Sequence, residues 1–290
     1  MSKRIPPELL ELSNIPITDI AEEGRGVGKA DDLVLFVEHA IPGDVVDIKL
    51  LRKKKNFGEG RVSRIVQPSP HRTEPFCRHF GVCGGCKWQH MDYTAQLTYK
   101  QQAVSNVLSR LGQVDTSFME PILPAPQTQY YRNKLEFTFS NKRWLTETDG
   151  PTTLPSEALG FHVPLRFDKV LDIEHCHLQA APSNEIRNSL RMFALQNSIS
   201  FYDLRLHVGA LRNLIIRTAS TGEVMVIVVF AYADSSTVEK TMAFLHKKFP
   251  EITALLYIIN QKKNDTIFDQ DVHVYAAQDH IFEEMEGLRF

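Results

Sequence analysis

The first 70 residues alternate apolar and polar positions in short runs of strand length. Glycines and the Pro42-Gly43 dipeptide separate these runs, and both favour turns or bulges between strands. Five strands are predicted, at Ile17 to Ile20, Val27 to Lys29, Leu33 to Val37, Val45 to Leu50 and Glu59 to Val66. Five short strands in so few residues favour a small barrel of the OB type, an architecture often used to bind oligonucleotides.

A longer hydrophobic period follows a proline-rich linker. Apolar residues at helical spacing predict an amphipathic helix from Asp92 to Leu111, with the apolar stripe facing a core. Beyond about residue 121 the pattern is mixed. Strands are predicted at Tyr130 to Ser140, Ala158 to Val163, Asp203 to Val208, Asn213 to Ala219, Glu223 to Ala231 and Ile252 to Ile259, with helices entered at Pro182 and at a Ser236/Glu239 capping box.

These elements predict an OB-like all-β barrel followed by an α+β domain with a mainly antiparallel sheet. The predicted divisions are residues 1–70 for the barrel, 71–120 for a cysteine-rich loop and helix, and 121–290 for the α+β domain. The glycines of Gly24-Arg-Gly26-Val-Gly28-Lys29 superficially resemble a phosphate loop. Their spacing matches neither nucleotide motif and no helical pattern follows, so a glycine-bent hairpin is favoured.

Composition is that of an ordinary soluble globular protein. The 290 residues are 43% hydrophobic and 23% charged, and no apolar run reaches the length of a membrane span. The N-terminal residues lack a signal-peptide pattern, which predicts a cytoplasmic protein with no membrane partner. The formal net charge of -2 hides a basic stripe of seven Lys and Arg residues between Lys49 and Arg64. Such a stripe indicates nucleic-acid binding, although a solvated hairpin tip explains it equally well.

Four cysteines point to a metal site. Cys77, Cys83 and Cys86 lie within ten residues of one another, and Cys176 is the remaining cysteine. Thiols stay reduced in the cytosol, so ligation is favoured over disulfides. Four thiolates suit zinc or a [4Fe-4S] cluster, and the division of three ligands and one favours the cluster. Four histidines could substitute as zinc ligands, but a supporting or exposed role is favoured for each: His79, His90, His175 and His177.

At these positions the chain resembles the TRAM-domain RNA (uracil-C5)-methyltransferases that carry an iron-sulfur cluster and make 5-methyluridine in ribosomal or transfer RNA. The cysteine set with Gly84-Gly85 and Gln89-His90 is similar to the cluster signature of that family. The glycine hairpin and the Pro42-Gly43-Asp44 turn resemble TRAM. Tyr131-Arg132-Asn133-Lys134 and Leu211-Arg212-Asn213-Leu214 resemble segments of the family's central domain.

The resemblance implies an enzyme that flips a uridine out of structured RNA, with 23S ribosomal RNA as the favoured substrate. A cysteine thiolate then attacks C6, and S-adenosylmethionine methylates C5. No glycine-rich turn for S-adenosylmethionine is found, and all four cysteines are assigned to the cluster. The expectation is therefore an N-terminal portion only, without the doubly wound methyltransferase domain. It would be catalytically inactive by itself, with no catalytic residue and with S-adenosylmethionine bound only in the missing domain.

RNA is expected to bind through phosphate contacts, and no DNA partner is expected. The predicted contacts are Lys49, Arg52, Lys53, Lys54, Lys55, Arg61, Arg132 and Lys134. The cluster is expected to be a structural staple. The main alternative is a stand-alone RNA-binding adaptor with a structural four-cysteine site that holds zinc or iron-sulfur. A redox carrier is a third possibility. A radical methylthiotransferase is disfavoured, because those enzymes have C-x3-C-x2-C and a C-terminal TRAM domain, whereas this chain has C-x5-C-x2-C and the barrel first.

Overall fold

The structure is a computed structural model that describes residues 11–146, 154–232 and 234–290. It divides into two compact units. The first contains the described residues up to 81 together with residues 86–126, and the second contains residues 82–85 and the described residues from 127 to 290. The boundaries predicted at residues 70 and 120 remain predictions. No helix in the described ranges is long and apolar enough to cross a membrane.

The first unit is built on a closed five-stranded barrel. Its strands are β1 (Glu11–Ile20), β2 (Gly26–Ala30), β3 (Leu33–Glu38), β4 (Val45–Lys53) and β5 (Phe57–Gln67). Around the barrel the order is β1-β2-β3-β5-β4, and the β3–β5 pair alone is parallel. The predicted small barrel is confirmed over the described residues; residues 1–10 of the predicted range 1–70 lie outside them.

Alternation along the strands places one set of side chains inside the barrel. The enclosed core consists of Ile15, Ile17, Leu35, Val37, Ala40, Val46, Ile48 and Leu50. Gly26 lies where β2 passes close to this core. A Cβ there would come within 2.9 Å of both the Ala40 carbonyl oxygen and the Ile17 side chain. The glycine motif therefore serves a tightly packed hairpin, as predicted, since Gly26 and Gly28 lie on β2 opposite β1.

A buried carboxylate closes the turn between β3 and β4. Asp44 is 1% exposed, and it accepts hydrogen bonds from the backbone N–H groups of Ile41 at 2.8 Å and Ser69 at 2.9 Å. Arg72 donates to both carboxylate oxygens at 2.8 Å. The Pro42-Gly43-Asp44 turn thus links the barrel to the chain that follows β5.

Helix α1 (Tyr93–Arg110) follows the cysteine loop, and its bounds agree with the prediction. Asp92 caps the N-terminus by accepting from Ala95 N at 2.8 Å. Ala95 packs with Met91, Ile20 and Ile41. The prediction that the whole apolar stripe is core is wrong, because the C-terminal half is exposed: Val104, Val107, Leu108 and Leu111.

The second unit contains a seven-stranded sheet in the order β12-β11-β10-β9-β6-β7-β8. Among the strand pairs that the described residues form in this sheet, only β10–β11 is parallel, so the prediction of a mainly antiparallel α+β domain is confirmed. The strands are β6 (Lys134–Ser140), β7 (Ala158–Val163), β8 (Arg166–Asp172), β9 (Leu211–Thr218), β10 (Val224–Phe230), β11 (Ala254–Ile259) and β12 (Val272–Ala277), and a short β13 (Glu284–Met285) pairs with β14 (Leu288–Arg289).

Two helices complete this unit, α2 (Ser183–Gln196) and α3 (Ser235–Lys248). They pack together through the stacked rings of Phe193 and Phe244, whose centroids are 4.1 Å apart. The apolar face of α3 is buried, but the predicted Ser236/Glu239 capping box is wrong. Asp234 is the N-cap and accepts from Ser236 N at 3.2 Å.

Two predicted strands need correction. Asp203 to Val208 is a tight turn, because the Asp203 carboxylate accepts from the backbone N–H groups of Arg205 and Leu206 at 2.8 and 3.0 Å. The strand predicted from Tyr130 begins only at Lys134. Strands β8 and β12 were not predicted. β12 is an exposed edge strand without the buried face on which a sequence pattern depends.

Candidate nucleic-acid interface and cysteine loop

The β4–β5 hairpin carries most of the predicted RNA contacts. Lys53 ends β4, and Lys54 and Lys55 form the turn before β5; all three are exposed. The Lys54 ammonium lies 4.9 Å from the centre of the Phe57 ring, which positions the turn by a cation–π contact. A compact cationic tip on a rigid barrel is suited to phosphate contacts.

Farther from the tip, the same hairpin mixes basic and acidic groups. Lys49 on β4 lies opposite Arg61 on β5. Arg52 is 3.4 Å from a carboxylate oxygen of Glu59, and Arg25 is 3.7 Å from the other. Solvent reaches all three side chains, so these pairs contribute little to stability and leave the guanidinium groups able to exchange partners. The structure therefore brings together the six predicted residues between positions 49 and 61 on one hairpin.

Arg132 and Lys134 belong to the second unit. Arg132 lies before β6 and donates its backbone N–H to the carbonyl of Leu178 at 2.8 Å. Lys134 is the first residue of β6 and lies 3.7 Å from Glu136. The strand predicted from Tyr130 to Ser140 would have carried both residues, but Arg132 lies outside the observed strand. Lys134 instead has the exposed Arg217 opposite it on β9.

The three clustered cysteines lie in an irregular loop and are all half-buried. The backbone N–H of Cys77 donates to the Gln89 side chain at 3.2 Å. The N–H of Gly85 donates to the Cys83 sulfur at 3.4 Å, a contact that stabilises a thiolate. A Cβ on Gly84 would lie 2.9 Å from the carbonyl oxygen of His162, so glycine is required for the observed approach.

Cys176 is buried and held by its neighbours. Its N–H donates to the Asn184 side chain at 2.8 Å, and its carbonyl accepts from the same amide at 3.1 Å. The fully buried Arg187 also donates to Asn184. Burial lowers the pKa of Arg187 to about 10, while Cys176, Asp172 and Glu174 act in the opposite direction. A cation beside Cys176 favours its thiolate form.

The backbone N–H directed at Cys83 and the arginine near Cys176 would stabilise thiolates, and thiolates are suitable metal ligands. Among the residues that the structure describes, however, no three or more His, Cys, Asp or Glu side chains form a group that could hold a metal ion. The four-cysteine cluster of Cys77, Cys83, Cys86 and Cys176 therefore remains a prediction.

The burial of His90 in the first unit was not found from the sequence, which favours a supporting or exposed role for this residue. His90 is only 3% exposed, and neither ring nitrogen has a hydrogen-bond partner within the described part of the chain. Burial, followed by the nearby Arg72 and His39, lowers the pKa of His90 to about 4. Burial likewise lowers the pKa of His39. Both imidazoles are therefore neutral at pH 7. The sequence contained no signal for this burial beyond the Gln89-His90 dipeptide after the cysteines.

The chain was compared with known proteins. A model of the TRAM domain matches residues 13–63, which lie within the barrel. A protein of Bacteroides thetaiotaomicron named as an uncharacterized RNA methyltransferase is 51% identical over 93% of this chain and 61% of its own length. One of the same name from Porphyromonas gingivalis is 52% identical over 94% of this chain and 61% of its own length. The chain thus spans about three fifths of the length of the curated relatives it matches.

A solved structure has the same fold. The Pyrococcus abyssi tRNA (uracil-54, C5)-methyltransferase, in complex with S-adenosyl-L-homocysteine, matches with a TM-score of 0.67 and 20% sequence identity. The match covers 95% of this chain and 58% of that chain.

The prediction that the methyltransferase fold is absent is contradicted, because 95% of this chain shares its fold with 58% of a solved methyltransferase. The prediction of a catalytically inactive chain, with S-adenosylmethionine bound only in a missing domain, is contradicted by relatives named RNA methyltransferases that match 93% and 94% of this chain. The lack of one short glycine-rich motif weighs less than similarity over nearly the whole chain.

The expectation of an N-terminal portion only is unsupported, and so is the non-enzymatic adaptor, since relatives that share more than nine tenths of the chain are named as enzymes. The chain contains a TRAM domain, and its homologues are named RNA methyltransferases.

Proposed function

We propose that the protein is an S-adenosylmethionine-dependent RNA (uracil-C5)-methyltransferase that acts on structured RNA in the cytoplasm. The observation that carries the proposal is a TRAM barrel with an exposed lysine hairpin inside a chain that has a uracil-C5 methyltransferase fold. S-adenosyl-L-homocysteine in the solved relative is what S-adenosylmethionine becomes after it gives up its methyl group. Ribosomal RNA is the first substrate to test, and transfer RNA, the substrate named for the solved relative, is the second.

Methyl transfer is tested directly with purified protein, S-adenosylmethionine labelled in its methyl group, and unmodified transcripts of ribosomal and transfer RNA. The proposal expects label in RNA, released as 5-methyluridine after digestion to nucleosides. Label in another nucleoside would replace uracil C5 as the target. Absence of label from both RNA classes would refute the proposal for these substrates.

The basic hairpin is proposed to hold RNA phosphates. Each phosphate contact releases counterions, so the logarithm of affinity falls linearly with the logarithm of salt concentration. Replacing Lys53, Lys54 and Lys55 together by alanine should reduce the slope by about 2, at roughly 0.7 for each contact to a single strand. A matched control replaces three exposed lysines of α3, Lys240, Lys247 and Lys248, which removes the same charge elsewhere.

Equal slopes for the hairpin variant and the α3 control would show that the hairpin makes no special contact with RNA. Weaker binding of the hairpin variant with an unchanged slope would also count against phosphate contacts. The other basic residues of the hairpin, Lys49, Arg52 and Arg61, are proposed to extend the same track, and Arg132 and Lys134 to contact RNA from the second unit.

A [4Fe-4S] cluster bound by Cys77, Cys83, Cys86 and Cys176 is part of the proposal, which assigns the thiolate that attacks C6 to none of these four cysteines. Bound there, it would act as a structural tie between distant parts of the sequence. Support comes from the four-thiol donor set, the Gly85 N–H directed at the Cys83 sulfur, and the arginine beside Cys176. Iron and acid-labile sulfide analysis of anaerobically purified protein should find about four of each for every chain. Zinc without iron would refute the cluster and leave the proposed methyltransferase untouched.

A further inference from the structure

Beside the barrel lies an open cleft of about 510 Å³. Its lining includes His39 at the end of β3, Ile65 on β5, and Arg72, Phe80 and His90 from the segment after the barrel. The volume is in the range of small-ligand sites. The predicted phosphate contacts do not line it, so the cleft has a chemistry of its own.

His90 gives the cleft its polar character. The residue is only 3% exposed, yet both ring nitrogens lack hydrogen-bond partners in the described residues. An unmade hydrogen bond at a buried polar atom is costly, so such atoms in folded proteins usually meet a partner. A neutral imidazole offers one donor and one acceptor. Because the two ring nitrogens point away from each other, a matching ligand edge presents an acceptor to one of them or a donor to the other.

Aromatic rings form the wall beside His90. The centre of the Phe80 ring is 5.0 Å from that of His90, and the His39 ring lies 6.2 Å from Phe80. Flat, apolar ring faces favour a flat ligand, and base–aromatic stacking tolerates any base because every base has a π-face. Ile65 adds an exposed apolar surface to the same cleft.

The charges around the cleft disfavour a phosphate as its occupant. Arg72 is committed to the Asp44 carboxylate and to the carbonyl oxygen of His39, at 2.7 to 2.8 Å. Glu74 also lines the cleft. Both histidines are neutral at pH 7, because burial lowers the pKa of each. An uncharged, flat, hydrogen-bonding group fits these surroundings better than an anion does.

The cleft is close to the basic hairpin. Glu38 on β3 lies opposite Arg61 on β5, and His39 is the next residue after Glu38. Arg61 is also near enough to contribute to the lowered pKa of His39. The cleft therefore adjoins the Arg61 end of the hairpin.

We propose that this cleft receives one unpaired nucleobase of the bound RNA, with the base stacked on Phe80 and its edge hydrogen-bonded to His90. The proposal rests on the proposed RNA-binding function and goes further, because it adds a base contact to phosphate contacts. It implies that the protein prefers RNA with an unpaired nucleotide next to the segment held by the hairpin.

Nuclear magnetic resonance of the full chain labelled with ¹⁵N-histidine tests the contact without mutation. The probes are a single-stranded RNA of about ten nucleotides and an abasic strand of the same length. The ring nitrogens of His90 should shift with the first probe and stay unchanged with the second. Equal His90 shifts with both strands, or no shift with either strand while binding is saturated, would overturn the proposal.

Affinity measurements on variants provide a second test. Phe80→Ala and His90→Phe should each weaken binding of the base-bearing strand about tenfold and leave both the abasic affinity and the salt slope unchanged. The control is Phe118→Ala, an exposed phenylalanine of the same unit that does not line the cleft. Variants that bind like this control would overturn the base contact while the salt slope still supports phosphate binding. No measurable RNA binding by the unaltered protein would instead refute the proposed function.

Discussion

Replacing Asp44 by asparagine should destabilise the barrel by about 3 to 5 kcal/mol. The carboxylate is buried and accepts four hydrogen bonds, two from the Arg72 guanidinium and one each from the N–H groups of Ile41 and Ser69. Asparagine keeps one acceptor and turns the other into a donor. It therefore removes the counter-charge of Arg72 and directs an N–H at a group that itself donates.

The magnitude follows from these contacts. A hydrogen bond to a charged group contributes about 1.5 to 3 kcal/mol, and an unsatisfied buried donor costs about 1 to 3 kcal/mol. Arg72 is 18% exposed at its side chain, so solvent replaces only part of the lost pairing. The double variant Asp44→Asn with Arg72→Met should lose less stability than the sum of the single variants, because it leaves no unpaired charge.

Urea unfolding can follow the barrel alone. Trp88 packs against the apolar cluster of Ile20, Ile41, Met91 and Ala95. The second tryptophan, Trp144, is replaced by phenylalanine in every sample, so that fluorescence reports on Trp88. The control is Asp32→Asn in the exposed β2–β3 turn, which should change stability by less than about 0.5 kcal/mol. A loss for Asp44→Asn no larger than that of the control would refute the role given to the buried pair.

Three further predictions concern other parts of the chain. Burial would raise the pKa of Asp203, but hydrogen bonds from two backbone N–H groups and two side chains hold the pKa well below its usual range. The stabilisation from the ionised Asp203 carboxylate is therefore present above about pH 4 and is lost as the pH falls below that value. In acid, the free energy of unfolding of Asp203→Asn, measured in urea, should approach that of the unaltered protein. A difference in the free energy of unfolding between the two proteins that stays the same at every pH would contradict this. Gly84→Ala should lower stability by about 1 to 3 kcal/mol because of the clash with His162, whereas Gly85→Ala, whose Cβ makes only an ordinary contact, should not; thermal unfolding compares the two. Asp92→Ala should cost about 1 kcal/mol of helix stability, and unchanged amide exchange in the first turn of α1 would argue against the cap.

Local patterns predicted the regular elements well. Helix α1 begins after Asp92 because a carboxylate before an apolar period is a recognisable cap, and β7 agrees with its predicted bounds. The turn at Asp203 was predicted as a strand because the alternation of apolar residues does not reveal that the Asp203 carboxylate accepts hydrogen bonds from the backbone N–H groups two and three residues later. The sequence pattern also does not report long-range packing. The C-terminal half of α1 is apolar at helical spacing, yet its apolar side chains are exposed.

The candidate sites divide along the same line. The lysine hairpin could be predicted because charge and turn residues are local in sequence. The burial of His90 could not be predicted, because it depends on Phe80, on His39 and on a barrel whose last strand ends more than 20 residues before it in the sequence. The predicted lack of catalysis had a different origin: it rested on one missing motif and on four cysteines assigned to the cluster, and such local features do not report the fold of the whole chain.

The most direct test of the proposed function is nucleoside analysis of RNA from cells in which the gene encoding this chain is deleted. Ribosomal and transfer RNA are purified separately, digested and analysed by mass spectrometry, and the modified position is then mapped in the affected RNA. The account predicts loss of 5-methyluridine from a defined position in one RNA class, with restoration when the gene is returned. Unchanged 5-methyluridine in both classes would contradict it.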